Sequence, residues 1–444
     1  MDWLKIDVLH RGVSRGALAL TLAIAVVPVA AQQLTFDDQI ANLKSPTAKT
    51  RQEAARALGE SRRQEAVAPL SALVRDPDPK VRLEVVMALT KLRDLSGVPA
   101  LVTSLQDGDP KVREQAISGL VEIYSERERE GAVSRFLQIF SDEYRAPVVR
   151  TVTTVDPAVF QGLVGTLRDE EEEIRAESAQ AIGILGGTSV ADHLVAALQD
   201  PESSVRGAAV TALAKVGDAE DGRAIIPLLA DESSEVRNRA IAAVGALHVA
   251  DAGPPLRELY EQNERRQMGT RVLEAMSETR DTRQGDLYRE LLMSTDPVRR
   301  RLAVEGLARI SDPSMIDGFK KDFQREKNED VRLAYNFAIT LLGDRAFLDS
   351  IVLSLPASGE RGDRARGYIQ ELGPSIAPDL YAYLDDPDPE VRAALCDVLA
   401  DLGDPAALER LTPLLADGNS DVADRANRAI QRLGRIEGAP SPQP

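Results

Sequence analysis

One phrase returns along the chain at a nearly constant interval, and this periodicity restricts the fold more than any other feature. Asp76–Leu89 reads DPDPKVRLEVVMAL, Asp107–Leu120 reads DGDPKVREQAISGL and Asp386–Leu399 reads DPDPEVRAALCDVL. Aligned on its Arg, the phrase has thirteen registers: Arg51, Arg82, Arg113, Arg145, Arg175, Arg206, Arg237, Gly269, Arg300, Arg332, Gly362, Arg392 and Ala423. Intervals run from 30 to 32 residues, and ten of the thirteen registers carry Arg. A fixed period of this size marks an array in which each unit leans on its neighbours.

Each unit reads as two helices. Asp78 is placed to cap the first helix, and Pro79 fills the first helical position, where a missing N–H costs nothing. Val81, Val85, Ala88, Leu89 and Leu92 then form one apolar stripe at helical spacing. Gly217-Asp218, Gly343-Asp344 and Gly403-Asp404 mark the turn that follows, where Gly can close a helix in the left-handed conformation. A second helix is expected over 98–106, with Leu101, Val102 and Leu105 inward. One hairpin cannot bury both faces, so the units must stack. The array is expected over residues 46–433, after a lead-in helix within 32–45 and before a disordered Pro-rich tail, 434–444.

The phrase and the Gly-Asp turn, as in Asp200–Leu213 (DPESSVRGAAVTAL), resemble the HEAT-repeat family, in the short bacterial form named after phycobilisome lyases. The resemblance implies an all-α fold, a right-handed α–α superhelix of about twelve two-helix repeats. It also implies first helices on the convex side and second helices on the concave side. On that assignment Ala100, Thr103, Ala224, Pro227, Asp379 and Ala382 face the groove.

Composition agrees with a helical core of small residues, since 43% of the chain is hydrophobic but only 4% aromatic. A formal charge of −17 argues against nucleic acid as a partner, because phosphate binding needs clustered positive charge. Residues 1–31 read as an export signal. Lys5, Arg11 and Arg15 precede the uncharged run Ala17–Ala31, which is too short for a membrane-spanning helix. Cleavage near Gln32 makes the protein periplasmic or secreted, without membrane insertion; a retained leader would act as an anchor instead. Cys396 is the single cysteine, so no intramolecular disulfide forms, and its place on the apolar stripe makes it a core thiol.

The repeated Arg sits at the edge of the stripe, and an acid recurs six residues before it. Stacking is expected to set each Arg beside the acids of an adjacent unit. The expected ladder comprises Asp76, Arg82, Asp107, Arg113, Asp169, Arg175, Asp200, Arg206, Asp231, Arg237, Asp386 and Arg392.

Chemistry is sparse. His10 leaves with the leader, and His193 and His248 lie in different units without a partner at metal-ligand spacing, so no metal is expected. The His-Glu dipeptide of the family's iron-binding hydroxylases is absent. The run Asp169–Arg175 (DEEEEIR) falls at a helix start, where acids complement the positive end of the helix. Two stretches depart from the repeat, Ile123–Ala132 and Leu256–Gly285. The second suggests a docking patch of Arg257, Tyr260, Arg265, Arg266 and Tyr288. No catalytic residue and no cofactor is assigned. The favoured reading is an exported, non-enzymatic scaffold that holds a protein partner along its concave surface. The alternatives are a divergent enzyme related to phycobilin lyases and an envelope spacer without a specific partner.

Overall fold

A computed structural model of the chain describes residues 34–124, 154–264, 266–311 and 313–436. The expected leader, Arg145 and Arg265, most of the Ile123–Ala132 departure and residues 437–444 of the tail lie outside the described residues. Every regular element among the described residues is helical. None of those helices is long and apolar enough to cross a membrane.

Twelve register-bearing helices form the spine: α1 (Ala48–Glu60), α2 (Pro79–Leu92), α3 (Pro110–Tyr124), α4 (Glu172–Leu185), α5 (Ser203–Val216), α6 (Ser234–Ala246), α7 (Gln267–Glu278), α8 (Pro297–Ile310), α9 (Glu329–Leu341), α10 (Glu360–Leu372), α11 (Pro389–Leu402) and α12 (Ser420–Ile436). The α12 helix runs to residue 436, three residues into the tail expected from 434 to 444. Local signals set the starts: Asp78 accepts the Lys80 amide at 2.8 Å, and Asp388 accepts that of Glu390 at 2.9 Å. Gly343 and Gly403 close their helices at positive φ, whereas Gly217 is extended at φ −81°. The second helices are shorter, for example Val98–Ser104 and Ala219–Arg223, and several continue as tight 3-10 turns such as Ile226–Ala230. Before them, Phe36–Asn42 forms the lead-in helix and the Arg63 guanidinium covers the Phe36 ring at 3.7 Å.

Among the described residues, α3 is followed in the stack by α4. Those two helices pack directly on one another, the second helix of the α3 unit is Pro157–Thr166, and Arg113 bonds Asp169, 56 residues away. The Arg145 interval fits the period, but Ile139 stands where an acid would.

Spine helices approach closely through small side chains. Six residues after the register stand Ala57, Ala88, Gly119, Ala181, Ala212, Ala243, Ala275, Gly306 and Ala338. A β-carbon on Gly59 would lie 2.7 Å from the Ala88 Cα, and one on Gly183 would lie 2.8 Å from the Ala212 Cα. Only glycine admits such backbone contact. At α10 the series fails: Tyr368 takes the small position, stacks on Phe337 at 4.2 Å and 11°, and reaches back to Glu305 on α8. Arg309 on α8 likewise bonds Glu371 on α10.

Side chains two layers apart meet only on the inside of a bend. The spine helices therefore line the inner side there, and the short second helices lie outside. This reverses the expected faces. Thr103, Pro227 and Ala382 are exposed on the outer helices, and Ala100 is buried.

Candidate functional site

The register arginines are built into the stack at both ends of their guanidinium groups. In all nine described cases Nη1 donates to the carbonyl six residues back, at 2.6–3.1 Å. In seven, Nε and Nη2 also grip one carboxylate of the next layer: Arg51 on Asp76, Arg82 on Asp107, Arg113 on Asp169, Arg175 on Asp200, Arg206 on Asp231, Arg300 on Glu326 and Arg392 on Asp417. These fourteen bonds measure 2.6–3.1 Å. Each acid also accepts an amide two residues on, as Asp76 does from Asp78 at 2.9 Å. Burial pushes the Asp76, Asp107 and Asp200 carboxyls up, but the guanidinium and amide bonds together outweigh it and leave all three below the ordinary value. For Asp231 and Asp417 the Arg bond is the leading influence, in the same direction.

The ladder breaks twice. Arg237 meets no carboxylate, because Asn263 stands at the acid position six residues before the next register. Asp386 receives no guanidinium, because the preceding register is Gly362. Both residues were expected as rungs; each is half of one. The register after Arg237 and the register before Asp386 are both glycine, with a common cause. A β-carbon on Gly269 would strike the Asn263 carbonyl, and one on Gly362 would strike that of Ala357. The segment that would carry the acid has folded into the space an Arg stem occupies elsewhere. Arg332, at the second break, is covered instead by the Phe323 ring at 4.0 Å.

Between the breaks lies a buried polar cluster. Glu305, 5% exposed, accepts Arg301 Nη1 at 2.7 Å and the Tyr368 hydroxyl at 2.5 Å, and Arg309 Nη1 lies 3.8 Å from it. Burial opposes ionisation of Glu305, yet Arg301 and Arg309 outweigh it and hold the carboxyl below its ordinary value. Arg309 also grips Glu371 through Nε and Nη2, both at 2.9 Å, and donates to the Ser277 carbonyl at 3.1 Å. The outer edge of this cluster borders a cleft of about 370 Å³ lined by Ala246, His248, Glu278, Arg280, Arg309, Gln370 and Glu371. Its groups are mutually engaged: His248 Nδ1 lies 2.8 Å from the Glu278 carbonyl, and Arg280 lies 3.6 Å from Glu371.

A family model described as HEAT repeats matches residues 37–121, 70–155, 131–214, 191–277, 222–308 and 364–435, well over half of the chain. The chain is a HEAT-repeat protein. Among solved structures, similar ones include an engineered protein (19% identity, 90% of this chain and 99% of that one, TM-score 0.36). The Escherichia coli protein YibA is 18% identical over 62% of this chain and 92% of its own, with a TM-score of 0.40. The CpcE–CpcF complex of phycocyanin lyase from Nostoc sp. PCC7120 is 19% identical over 68% and 98%, with a TM-score of 0.29. No curated protein matches the sequence.

The expected docking patch does not assemble on this HEAT surface. Tyr260 and Tyr288 are core residues, 3% and 1% exposed. Tyr288 lies flat where Gly306 leaves room, and its hydroxyl donates to the Met276 carbonyl at 2.7 Å. Arg257 is tied to Glu261 and Asp286 at 3.2 and 3.3 Å; Arg266 is exposed. Sequence reasoning passed over Glu305, Arg309, Tyr368 and Glu371, although Tyr368 breaking the small-residue series was a visible sign. Cys396 is fully buried, and burial, then Asp397, pushes its thiol up to about 12. Among the described residues no group of His, Cys, Asp and Glu is arranged to hold a metal ion.

Glu177 on α4 is a carboxyl without a cation. Burial, then repulsion from Glu114 and Glu173, pushes it up to about 7. An acid with a raised folded pKa loses stability as pH climbs from its unfolded value, about 4.3, to the folded one. Glu177→Gln is therefore expected to be neutral near pH 4 and stabilising by about 2 kcal/mol near pH 8, a figure discounted for screening of a half-buried group. Denaturant midpoints of both proteins at the two pH values measure this; a difference independent of pH would contradict the assignment.

Proposed function

We propose that this chain is an exported, non-enzymatic HEAT-repeat scaffold that binds a protein partner along the inner face of its spine. The observation that carries this reading is the inner face itself. It is a continuous row of spine helices whose charges are largely spent on neighbouring layers, as in Arg56–Glu84, Arg93–Glu122 and Arg425–Asp397. A long surface without a preorganised polar pocket suits another macromolecule better than a small substrate. The basic residues and uncharged run within 1–31 support export.

The test uses the full chain expressed in its own cells, carrying a photo-crosslinking residue at Lys91, Glu114 or Arg271 on the spine, or at Thr103, Pro227 or Ala382 on the outer helices; Pro227 and Ala382 lie in 3-10 turns, the other four in α-helices, and all six are exposed. One reproducible adduct from the spine positions, recovered in the envelope or medium fraction, is the expected result. Adducts only from the outer set would overturn the face, adducts from neither the scaffold role, and retention in the cytosol the export.

A further inference from the structure

Each register Arg turns its Nε–Nη2 edge toward the following layer, and that edge is almost always occupied. Seven of the nine described carry a carboxylate there, and the Arg332 guanidinium lies against the Phe323 ring. Arg237 has neither. Its Nη1 is nevertheless held as in every other layer, by the carbonyls of Asp231 at 2.6 Å and Glu232 at 3.0 Å. The guanidinium is thus fixed, half-buried, in the pose that offers a carboxylate two parallel N–H donors. The residue at the acid position, six before the next register, is Asn263, which donates its Nδ2–H to the Leu259 carbonyl on its own helix at 2.9 Å. That helix, Gly253–Asn263, runs for 11 residues where the equivalent helix Val98–Ser104 has 7.

We infer that the open edge of Arg237 is a carboxylate-binding site, a rung of the ladder left for a ligand from outside the chain. Ligand chemistry is set by the seven filled rungs: a planar two-oxygen anion received by Nε and Nη2, each oxygen 2.6–3.1 Å from its donor. General anion attraction does not supply the binding, because the chain carries a net charge of −17; affinity must come from the local fork. Such a carboxylate belongs to a small acid or to an Asp or Glu side chain of a polypeptide. The inference rests on rung geometry alone and stands or falls separately from the scaffold reading.

The full chain, labelled at arginine side-chain nitrogens, is titrated while the Arg237 Nε–H resonance is followed by NMR. The probes are acetate, a capped DPDPE peptide copied from Asp386–Glu390, and chloride at matched ionic strength. Saturable movement with a carboxylate but not with chloride is expected, and Arg237→Gln assigns the resonance by deleting it. Asn263→Asp supplies the carboxylate from within the chain. It should move the resonance without ligand and weaken the response to either probe by about tenfold or more. A peptide that saturates at lower concentration than acetate identifies a polypeptide ligand; equal or weaker binding identifies a small acid. A resonance that ignores both carboxylates, or follows chloride equally, overturns the site. Should Arg237→Gln fail to fold, Arg237→Lys removes the same Nε–H signal while keeping the charge.

Discussion

Glu305→Ala is expected to destabilise the middle of the stack by about 3–5 kcal/mol, the cost typical of breaking a buried ion pair from one side. The residue is 5% exposed and joins Arg301, Arg309 and Tyr368. Without it, Arg301 loses its buried acceptor, the Tyr368 hydroxyl is orphaned, and Arg309 keeps Glu371, Ser277 and the Phe337 ring. Because Tyr368 and Glu371 both sit on α10, the layer already held loosely through its bulky seam residue, the damage should concentrate in α8–α10. Hydrogen exchange of residues 297–310 and 360–372 should accelerate, while α1 and α2 keep wild-type protection, since interactions in such an array are between near neighbours. Replacing Arg301, Glu305 and Arg309 together by apolar residues should cost far less than the single change, because no charge is then left stranded. A single variant milder than the triple would show that desolvation, not lost pairing, governs the cluster.

Much of this was legible in the residues, and the failures have physical causes. The period, the Asp–Pro helix starts and the inward stripe depend on neighbours within one or two turns, so sequence carries them directly. Rungs were legible too, because the acid and the Arg recur at fixed offsets. What escaped was anything set by how layers tilt. Arg145 keeps the interval, yet Ile139 in the acid position already sets it apart in the sequence, and among the described residues α3 packs directly on α4. Arg237 and Asp386 each look complete within their own unit; only the following or preceding layer reveals the missing half. Tyr260 and Tyr288 were read as surface residues because they lie in, or just after, the stretch that departs from the repeat. Whether Tyr288 is buried depended on Gly306, one unit further on. The inner face was inferred from resemblance rather than from the series of small residues that marks it.

Gly183→Val should separate α4 from α5 and cost about 3 kcal/mol, the upper range for overpacking a close-fitted site. A β-carbon at Gly183 would stand 2.8 Å from the Ala212 Cα and 2.9 Å from its Cβ, and the contact is partly backbone, so no rotamer change relieves it. Valine adds two methyl groups beyond that clash. The same seam also shows how the cost can be recovered. Between α2 and α3 the larger residue faces glycine, Thr90 against Gly119, whereas between α1 and α2 Gly59 faces Ala88. One side of each contact must be bare, and either side will serve. Gly183→Ala combined with Ala212→Gly moves one methyl across the seam and should return most of the lost stability. Gly183→Val with Ala212→Gly, which imitates Thr90 and Gly119, should recover part of it. Denaturant midpoints, with hydrogen exchange over residues 172–216, measure both. If the valine variant unfolds at the wild-type midpoint, the helices do not depend on that closeness and the bend of the stack must be set elsewhere. If the swap recovers nothing, the glycine is required for its own backbone rather than for the space it leaves.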